Sequence, residues 1–439
     1  MKKGRYRYFI IFMVLAIMTI NYIDRGALSY GQADIIKEYG LNAQSWGAVM
    51  GYFGYGYAVG GLFGGFLADK KGPKFTWIVF GSIWSVFEML TAFAGDIGIT
   101  VFGGSALAGF FVVRVLFGLA EGPSFVSMSR TMANWVAPKE RTFCSSLTLI
   151  GTPLGSVITA PIAVTIISLT NWKVMLVTMG LLGLVWASIF SRVFTSLPED
   201  NPRISKEELA EIRYNTDLKT KDNVSQDKIH WFDFFKNPSL ICNTVGFFAC
   251  SYIIFLLLTW TPKYLQDVYH FKLTSLWYLG MIPWIGPIFT TVLGGKISDY
   301  IRMRTGNLRF ARNSVSVISL LLSSICFLLI PKMGSAMQVL LLMALGNSAA
   351  LAANSIYWSN LIDIEPSKTG TFSGIMHFLG QTSAFIAPTL TGTLVKNYGY
   401  SAAFIIAGII CAVGMVCMFF VKFKNVEIDN GQVEKNFSA

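Results

Sequence analysis

The stretch Gly65-Phe-Leu-Ala-Asp69-Lys-Lys-Gly72-Pro-Lys74 follows a long apolar run. Its pattern returns as Gly295-Lys-Ile-Ser-Asp299-Tyr-Ile-Arg302 and continues through Arg304 to Arg312. Each copy is a glycine, three residues, an aspartate and a basic cluster. The first closes the second apolar run of the chain, the other closes the eighth. Loop glycines permit a tight turn, and the basic residues hold the loop at one face of a bilayer. The aspartate reads either as one more charge of a topology-setting loop or as a latch that pairs with a neighbouring helix end or arginine. Identical placement in both halves favours the latch, so Asp69 and Asp299 are candidate gating residues. A weaker echo pairs Asn171-Trp172 with Gly399-Tyr400. Internal repeats of this kind mark chains whose site lies between two helical bundles.

Around these landmarks lie apolar runs at 8–30, 46–67, 75–94, 104–128, 143–167, 172–194, 239–261, 275–295, 313–331, 336–360, 370–394 and 401–421. A helix needs roughly 17–25 apolar residues to cross a bilayer. The runs therefore predict an all-α membrane protein with twelve transmembrane helices in two six-helix bundles. The expected division is 1–194 for the first bundle, 195–238 for a central loop, 239–421 for the second bundle and 422–439 for a tail. The loop is too short for a catalytic domain of ordinary size. Within it, Ser205 and Glu208 have the spacing of a capping box and predict a short amphipathic helix. The N-terminus has the basic start and apolar run of a signal peptide. The run is too long and no small-x-small site precedes Asp24-Arg25, so it reads as a retained first helix.

Composition agrees: 53% of the 439 residues are hydrophobic and only 13% are charged, about half the ~25% of soluble domains. The net charge of +11 would point to nucleic acid in a soluble protein. Here the 35 basic residues lie mostly in gaps between spans, so the expected partner is the lipid bilayer and no nucleic acid. Lys2, Lys3, Arg5, Arg7, then Lys70, Lys71, Lys74, then Arg130, Lys139, Arg141, the central loop, Lys296 to Arg312, Lys422 and Lys424 fall on one side. The alternate gaps hold few: Lys37, Lys173, Lys263, Lys272, Lys332 and Lys396. The positive-inside rule then puts both termini in the cytosol. The six cysteines all lie in apolar runs without metal-ligand spacing and read as small packing residues.

Charges inside the spans carry the chemistry. Asp24-Arg25 interrupts the first run, and Arg114 and Glu121 interrupt the fourth. Each costs roughly 2.5–3.5 kcal/mol to insert. Arg114, Gly118 and Glu121 share one helix face, the two charges about 10 Å apart along the axis. An arginine grips a carboxylate through two parallel hydrogen bonds, and an acid in an apolar cavity can load and release a proton. The alternative is a pair of internal salt bridges that only hold helices together, although buried ion pairs seldom add stability. Glu88 in the third run reads as a helix-pairing or interfacial acid. Gly56, Gly60 and Gly64 form a stripe suited to close helix packing, and Pro283 and Pro287 suit a bendable eighth span. There is no Walker loop, no HExxH, no nucleophile elbow and no metal-ligand cluster, so neither an enzyme nor a metal site is expected.

The Gly-x-Leu-Ala-Asp-x-x-Gly-x-Lys loop, its degraded second copy and the two sixes of helices resemble the major facilitator superfamily over essentially the whole chain. Four motifs narrow the resemblance to its anion:cation symporter family, which includes bacterial sugar-acid carriers. They are Asn21-Tyr22-Ile-Asp24-Arg25, Arg114-x-x-x-Gly118-x-x-Glu121-Gly-Pro123, Trp260-Thr-Pro262-Lys-Tyr264-Leu and the segment from Gly370 to Pro388. The resemblance implies that Asp24 and Glu121 couple protons. It implies that Tyr22, Arg25, Tyr57 and Arg114 line the substrate cavity, with Ser355, Trp358 and His377 from the second half. Trp358 reads equally as a packing residue, and His377 as a neutral hydrogen-bonding group. Two positions depart from the sugar-acid pattern: Thr152 stands where a glutamine is expected and His377 where an asparagine is. Both would touch substrate polar groups.

The expectation is therefore secondary active transport: proton-coupled symport of an organic anion by alternating access. The anion would be a sugar acid, namely a hexonate, hexuronate or hexarate. A carrier of another small carboxylate and a transporter-like membrane sensor are the alternatives. The driving force would be the proton gradient, with no cofactor. The resemblance and the short loops place the chain in a bacterial inner membrane, working as a monomer.

Overall fold

The computed structural model describes residues 6–137, 140–213, 231–365 and 369–423; the side chains of 65, 66, 69, 141, 142, 369 and 370 are outside that description. Asp69, Lys2, Lys3, Arg5, Lys139, Arg141 and Lys424 therefore lie outside the described side chains. Among the described residues, nine helices are long and apolar enough to cross a membrane: Tyr6–Tyr30, Ala106–Trp135, Phe143–Leu169, Trp172–Val193, Pro238–Tyr269, Leu273–Thr305, Leu308–Lys332, Ala336–Ile364 and Tyr400–Phe419. A tenth span combines Lys70–Thr91 and Ala94–Val101 across a 72° bend. Two further helical columns complete the twelve. One is the first part of Ala43–Thr91, up to the break at Gly72. The other is the pair Thr369–Gln381 and Ser383–Tyr398. These two, spans two and eleven, pack against each other across the bundles.

Local chemistry sets the span boundaries. Asparagines start several spans by accepting a backbone N–H: Asn42 from Ser45, Asn171 from Val174, Asn237 from Ser239 and Asn307 from Phe310. Both copies of the repeated loop turn through a glycine with positive φ, Gly72 at 81° and Gly306 at 65°, a conformation that a side chain penalises. Helices run past the apolar runs into charged residues. Span eight continues to Thr305 and span nine starts at Leu308, so part of the expected basic loop is helix. The hydrogen-bonded ladder extends into the interfacial zone, where charges are solvated.

The two halves also break alike. Span four divides at Gly122-Pro123, between Ala106–Glu121 and Ser124–Trp135, and span ten at Ala353, between Ala336–Ala352 and Asn354–Ile364. Span five divides at Ile150 and span eleven at Thr382. Broken helices at membrane depth are tolerated where they line protein interior or a cavity.

Packing is set by close backbone approach. A Cβ on Gly118 would lie 2.8 Å from the backbone nitrogen of Tyr57, and one on Gly122 would lie 2.5 Å from the carbonyl carbon of Gly60. Spans two and four thus touch backbone to backbone along the glycine stripe. Across the bundles, a Cβ on Gly47 would lie 2.9 Å from the Cα of Gly392, and Tyr55 stacks on Phe385 with centroids 4.5 Å apart. Lys396 donates to Gln44 at 2.9 Å, and Gln32 donates to Gln266.

At the end carrying the termini, the helix Lys206–Arg213 packs on the start of span one. Ser205 accepts the Glu208 N–H at 3.1 Å, as in a capping box. The Glu208 carboxylate does not return the bond locally. It accepts the N–H groups of Tyr6 and Arg7 at 3.1 and 2.9 Å, placing a negative charge on the positive end of the first span. Arg213 holds the exposed Glu199 carboxyl below the usual carboxylate range.

The stripe gives a test. Gly118→Val should separate spans two and four and cost ~1–3 kcal/mol, lowering the thermal unfolding midpoint in detergent. Gly374, which has nothing near the place of a Cβ, should accept alanine with no change. Equal midpoints for Gly118→Val and wild type would contradict the packing.

Candidate functional site

The charged residues of spans one and four converge in the first bundle. Span one is an unbroken helix that buries Asn21, Tyr22, Asp24 and Arg25 completely or nearly so. Span four presents Arg114 two turns before Glu121, and Glu121 ends its helix at the Gly122-Pro123 break. Arg25 Nε donates to Glu121 Oε1 at 2.5 Å, joining the two spans. Ser124 donates to the freed Glu121 carbonyl at 2.5 Å and accepts from Asn21 at 3.3 Å, so the break is stitched to span one as well.

Aromatic rings enclose both guanidinium groups. Arg25 lies 4.3 Å from the ring centroid of Tyr57, 4.7 Å from Tyr22 and 5.3 Å from Phe53. Arg114 lies 5.1 Å from Phe117 and 5.4 Å from Phe53. Phe53 therefore stands between the two arginines, with its electron-rich face available to a cation. Among the described residues, Nε and Nη1 of Arg114, Nη2 of Arg25 and the hydroxyl of Tyr57 have no hydrogen-bond partner although all are buried. The same holds for both oxygens of Asp24 and for Oε2 of Glu121. Asp24 lies in the electrostatic field of Glu88, Glu121 and Arg25. The arrangement can hold an anion on rigid, planar donors and can bind protons on carboxylates close by.

His377 of span eleven reaches this cluster from the second bundle. Its ring centroid is 6.1 Å from Tyr57 and from Phe125, and 5.9 Å from Trp358. Trp358 also packs edge-on against Phe247, so it has both the packing contact and the His377 contact. The Ser355 hydroxyl is buried without a partner among the described residues, and a Cβ on Gly295 would lie 2.9 Å from it. Thr152 is placed less directly. Its hydroxyl donates to the Leu149 carbonyl at 3.0 Å beside the break in span five. One turn further, a Cβ on Gly155 would lie 2.8 Å from the Cβ of Tyr22. The second-copy aspartate lies elsewhere, at the end with the termini. Asp299 meets Arg312 at 3.0 Å, and Arg312 bridges to Asp363 at 3.2 Å.

Two features of the cluster differ from the sequence reading. Glu88 is not interfacial: it is 0% exposed, lies in the electrostatic field of Arg114 and Glu121 of span four, and its oxygens have no hydrogen-bond partner among the described residues. A lone acid in an apolar run was the available signal, but its helix face is decided by packing. Phe53 had no signal, being one aromatic among many.

The sequence profile of the Major Facilitator Superfamily matches residues 14–388 and 305–438. The chain is 32% identical over 403 residues to a hexuronate transporter of Bacillus subtilis, covering 91% of this chain and 90% of that one. It is 30% identical over 414 residues to a probable sulfoacetate transporter of Cupriavidus necator, covering 93% of each. It is 28% identical over 423 residues to a probable galactarate/D-glucarate transporter of Escherichia coli, covering 93% and 91%. In structure it is similar to a bacterial homologue of the human lysosomal transporter Spinster in an inward-facing, occupied conformation. That likeness has a TM-score of 0.72 at 15% identity and covers 95% of this chain and 97% of that one; at such identity it speaks for the fold alone. The chain belongs to the Major Facilitator Superfamily and is a multi-pass membrane transporter, not an enzyme.

Proposed function

We propose that this transporter carries a sugar acid (a hexonate, hexuronate or hexarate) together with protons, by alternating access. Arg114 carries the reading: its guanidinium is fully buried, with Nε and Nη1 unpartnered among the described residues, so it is a cation with unmet donors, and a carboxylate supplies the acceptor. Arg25 is the second, held by Glu121. Protonation of Glu121 weakens that bond and releases Arg25 toward the anion, while Asp24 beside it takes or gives a proton. The anion and the proton then stabilise each other's presence, which is the physical content of symport. Tyr22 and Tyr57 wall the arginines. Ser355, Trp358 and His377 supply neutral contacts from the other bundle, with Thr152 at the cavity edge. The carrier works as a monomer in a bacterial inner membrane, with both termini cytosolic, and needs no cofactor beyond the proton gradient.

Asp299 with Arg312 and Asp363 is a latch at the cytosolic end, and Asp69 its counterpart in the first half. The relatives named for hexuronate and for galactarate/D-glucarate support a sugar acid. The relative named for sulfoacetate supports a second reading, a smaller anion, and Thr152 and His377 are the side chains that would decide between them.

Three results are expected. Asp24→Asn and Glu121→Gln should abolish uphill uptake into proteoliposomes while exchange of anion persists; full proton-driven accumulation by both would sink the coupling assignment. Arg114→Lys keeps the charge but loses the fork. It should weaken anion binding by roughly 10- to 100-fold, the ~1.5–3 kcal/mol of a charged hydrogen bond, and unchanged affinity would make Arg114 structural. Thr152→Gln and His377→Asn should reorder preference across hexonates, hexuronates, hexarates and sulfoacetate with coupling intact, because a site that hydrogen-bonds a hydroxyl rejects ligands lacking it. The same rank order in both variants would show that these side chains do not read the substrate.

A further inference from the structure

Glu88 has no role in the mechanism so far. It lies on span three, in the part of Ala43–Thr91 after Gly72, with no exposure and two oxygens unpartnered among the described residues. The groups facing it can be named from each neighbouring element. Span one brings Asp24, and span four brings Arg114 and Glu121. Span six brings glycines to this stretch, Gly180 against Met89 and Gly183 against Ser85. On its own helix, Trp84 lies one turn earlier, beside Asp24. The cluster thus holds three carboxylates, Asp24, Glu88 and Glu121, and two guanidinium groups, Arg25 and Arg114.

Full ionisation would leave one negative charge uncompensated inside the bundle. A buried charge without a partner costs several kcal/mol, and the group takes up a proton instead. Glu121 keeps its charge through Arg25, so the proton of the empty protein belongs to Asp24 and Glu88. Glu88 also lies in the field of Arg114, the guanidinium assigned above to the anion, without a hydrogen bond to it. A carboxylate arriving there adds one more negative charge to the cluster, so a second proton is needed and Asp24 and Glu88 are then both protonated.

We propose that Glu88 is a third proton-binding acid of this transporter, protonated as the substrate carboxylate occupies Arg114. The step balances: the carboxylate of Glu88 plus one proton gives the carboxylic acid, and the guanidinium keeps its charge and gains the substrate carboxylate as acceptor. This rests on the reading of Arg114 as the anion site, and the experiment has one arm that does not.

In that arm, infrared difference spectra of the full-length protein in membranes are recorded during a pH titration without substrate. Wild type should show a carboxylic acid band. Glu88→Gln leaves two acids and two arginines, a neutral cluster, and the band should be lost. Glu88→Asp should keep the band with a shifted midpoint, which also guards against a variant that fails to fold. A band unaltered in Glu88→Gln overturns the inference whatever the transporter carries. In the second arm, glucuronate, glucarate, galactonate and sulfoacetate are titrated calorimetrically in two buffers of different ionisation heat. For a ligand that binds, Asp24→Asn should still take up about one proton per anion, on Glu88, whereas Asp24→Asn combined with Glu88→Gln should take up none and Asp24→Asn combined with Glu88→Asp should restore the count. Proton uptake that persists in the Asp24→Asn/Glu88→Gln variant overturns the inference. Failure of all four anions to bind wild type counts against the proposed substrate class and leaves the substrate-free spectra to decide on Glu88.

Discussion

The ion pair between Arg25 and Glu121 is the contact on which the first bundle's interior depends. It joins span one to the end of the first half of span four with both side chains buried. Two charges taken out of water are repaid only when geometry and further hydrogen bonds are good. Here the remaining partners are incomplete: Glu121 Oε2 and Arg25 Nη2 have none among the described residues. Aromatic faces of Tyr22, Phe53 and Tyr57 stabilise the arginine, but a ring cannot replace a carboxylate. The pair therefore ties span one to span four with bonding capacity left over on both partners.

The fold is rigid where the pair needs it and divided where motion is needed. Spans two and four meet through backbone at Gly60, Gly118 and Gly122, which fixes Tyr57 and Phe53 against Arg25 and Arg114. The breaks in spans four, five, ten and eleven recur at corresponding places in the two halves. His377 lies just before the break in span eleven and packs against Tyr57 of the first bundle. A shift of one bundle against the other therefore changes the surroundings of the arginines directly. At the cytosolic end of the proposed orientation, Arg312 ties spans eight, nine and ten through Asp299 and Asp363.

Much of this is legible in the sequence, for identifiable reasons. Apolar length reveals spans, and a charge inside an apolar run is conspicuous, so Asp24, Arg25, Arg114 and Glu121 stand out from the sequence alone. Their convergence follows from helical spacing and from the family resemblance. Glu88 is conspicuous too, but one acid does not reveal whether its helix face meets lipid, interface or interior. Phe53 between the arginines is invisible, because aromatics are abundant in spans. The bonds from Glu208 to the N–H groups of Tyr6 and Arg7 join residues about 200 positions apart, and local capping rules address only neighbours. Thr152 is marked by its departure from a family pattern, and its hydroxyl bonds its own chain three residues back.

If Arg114 holds the anion and the buried acids hold protons, the two must move together. To test this, purified wild-type protein is reconstituted into proteoliposomes carrying an internal pH-sensitive dye. Glucuronate, glucarate, galactonate or sulfoacetate is added outside with no imposed gradient. Inward movement of a carried anion should acidify the lumen in proportion to anion uptake. Uptake of an anion with no change in luminal pH would show that protons do not accompany it.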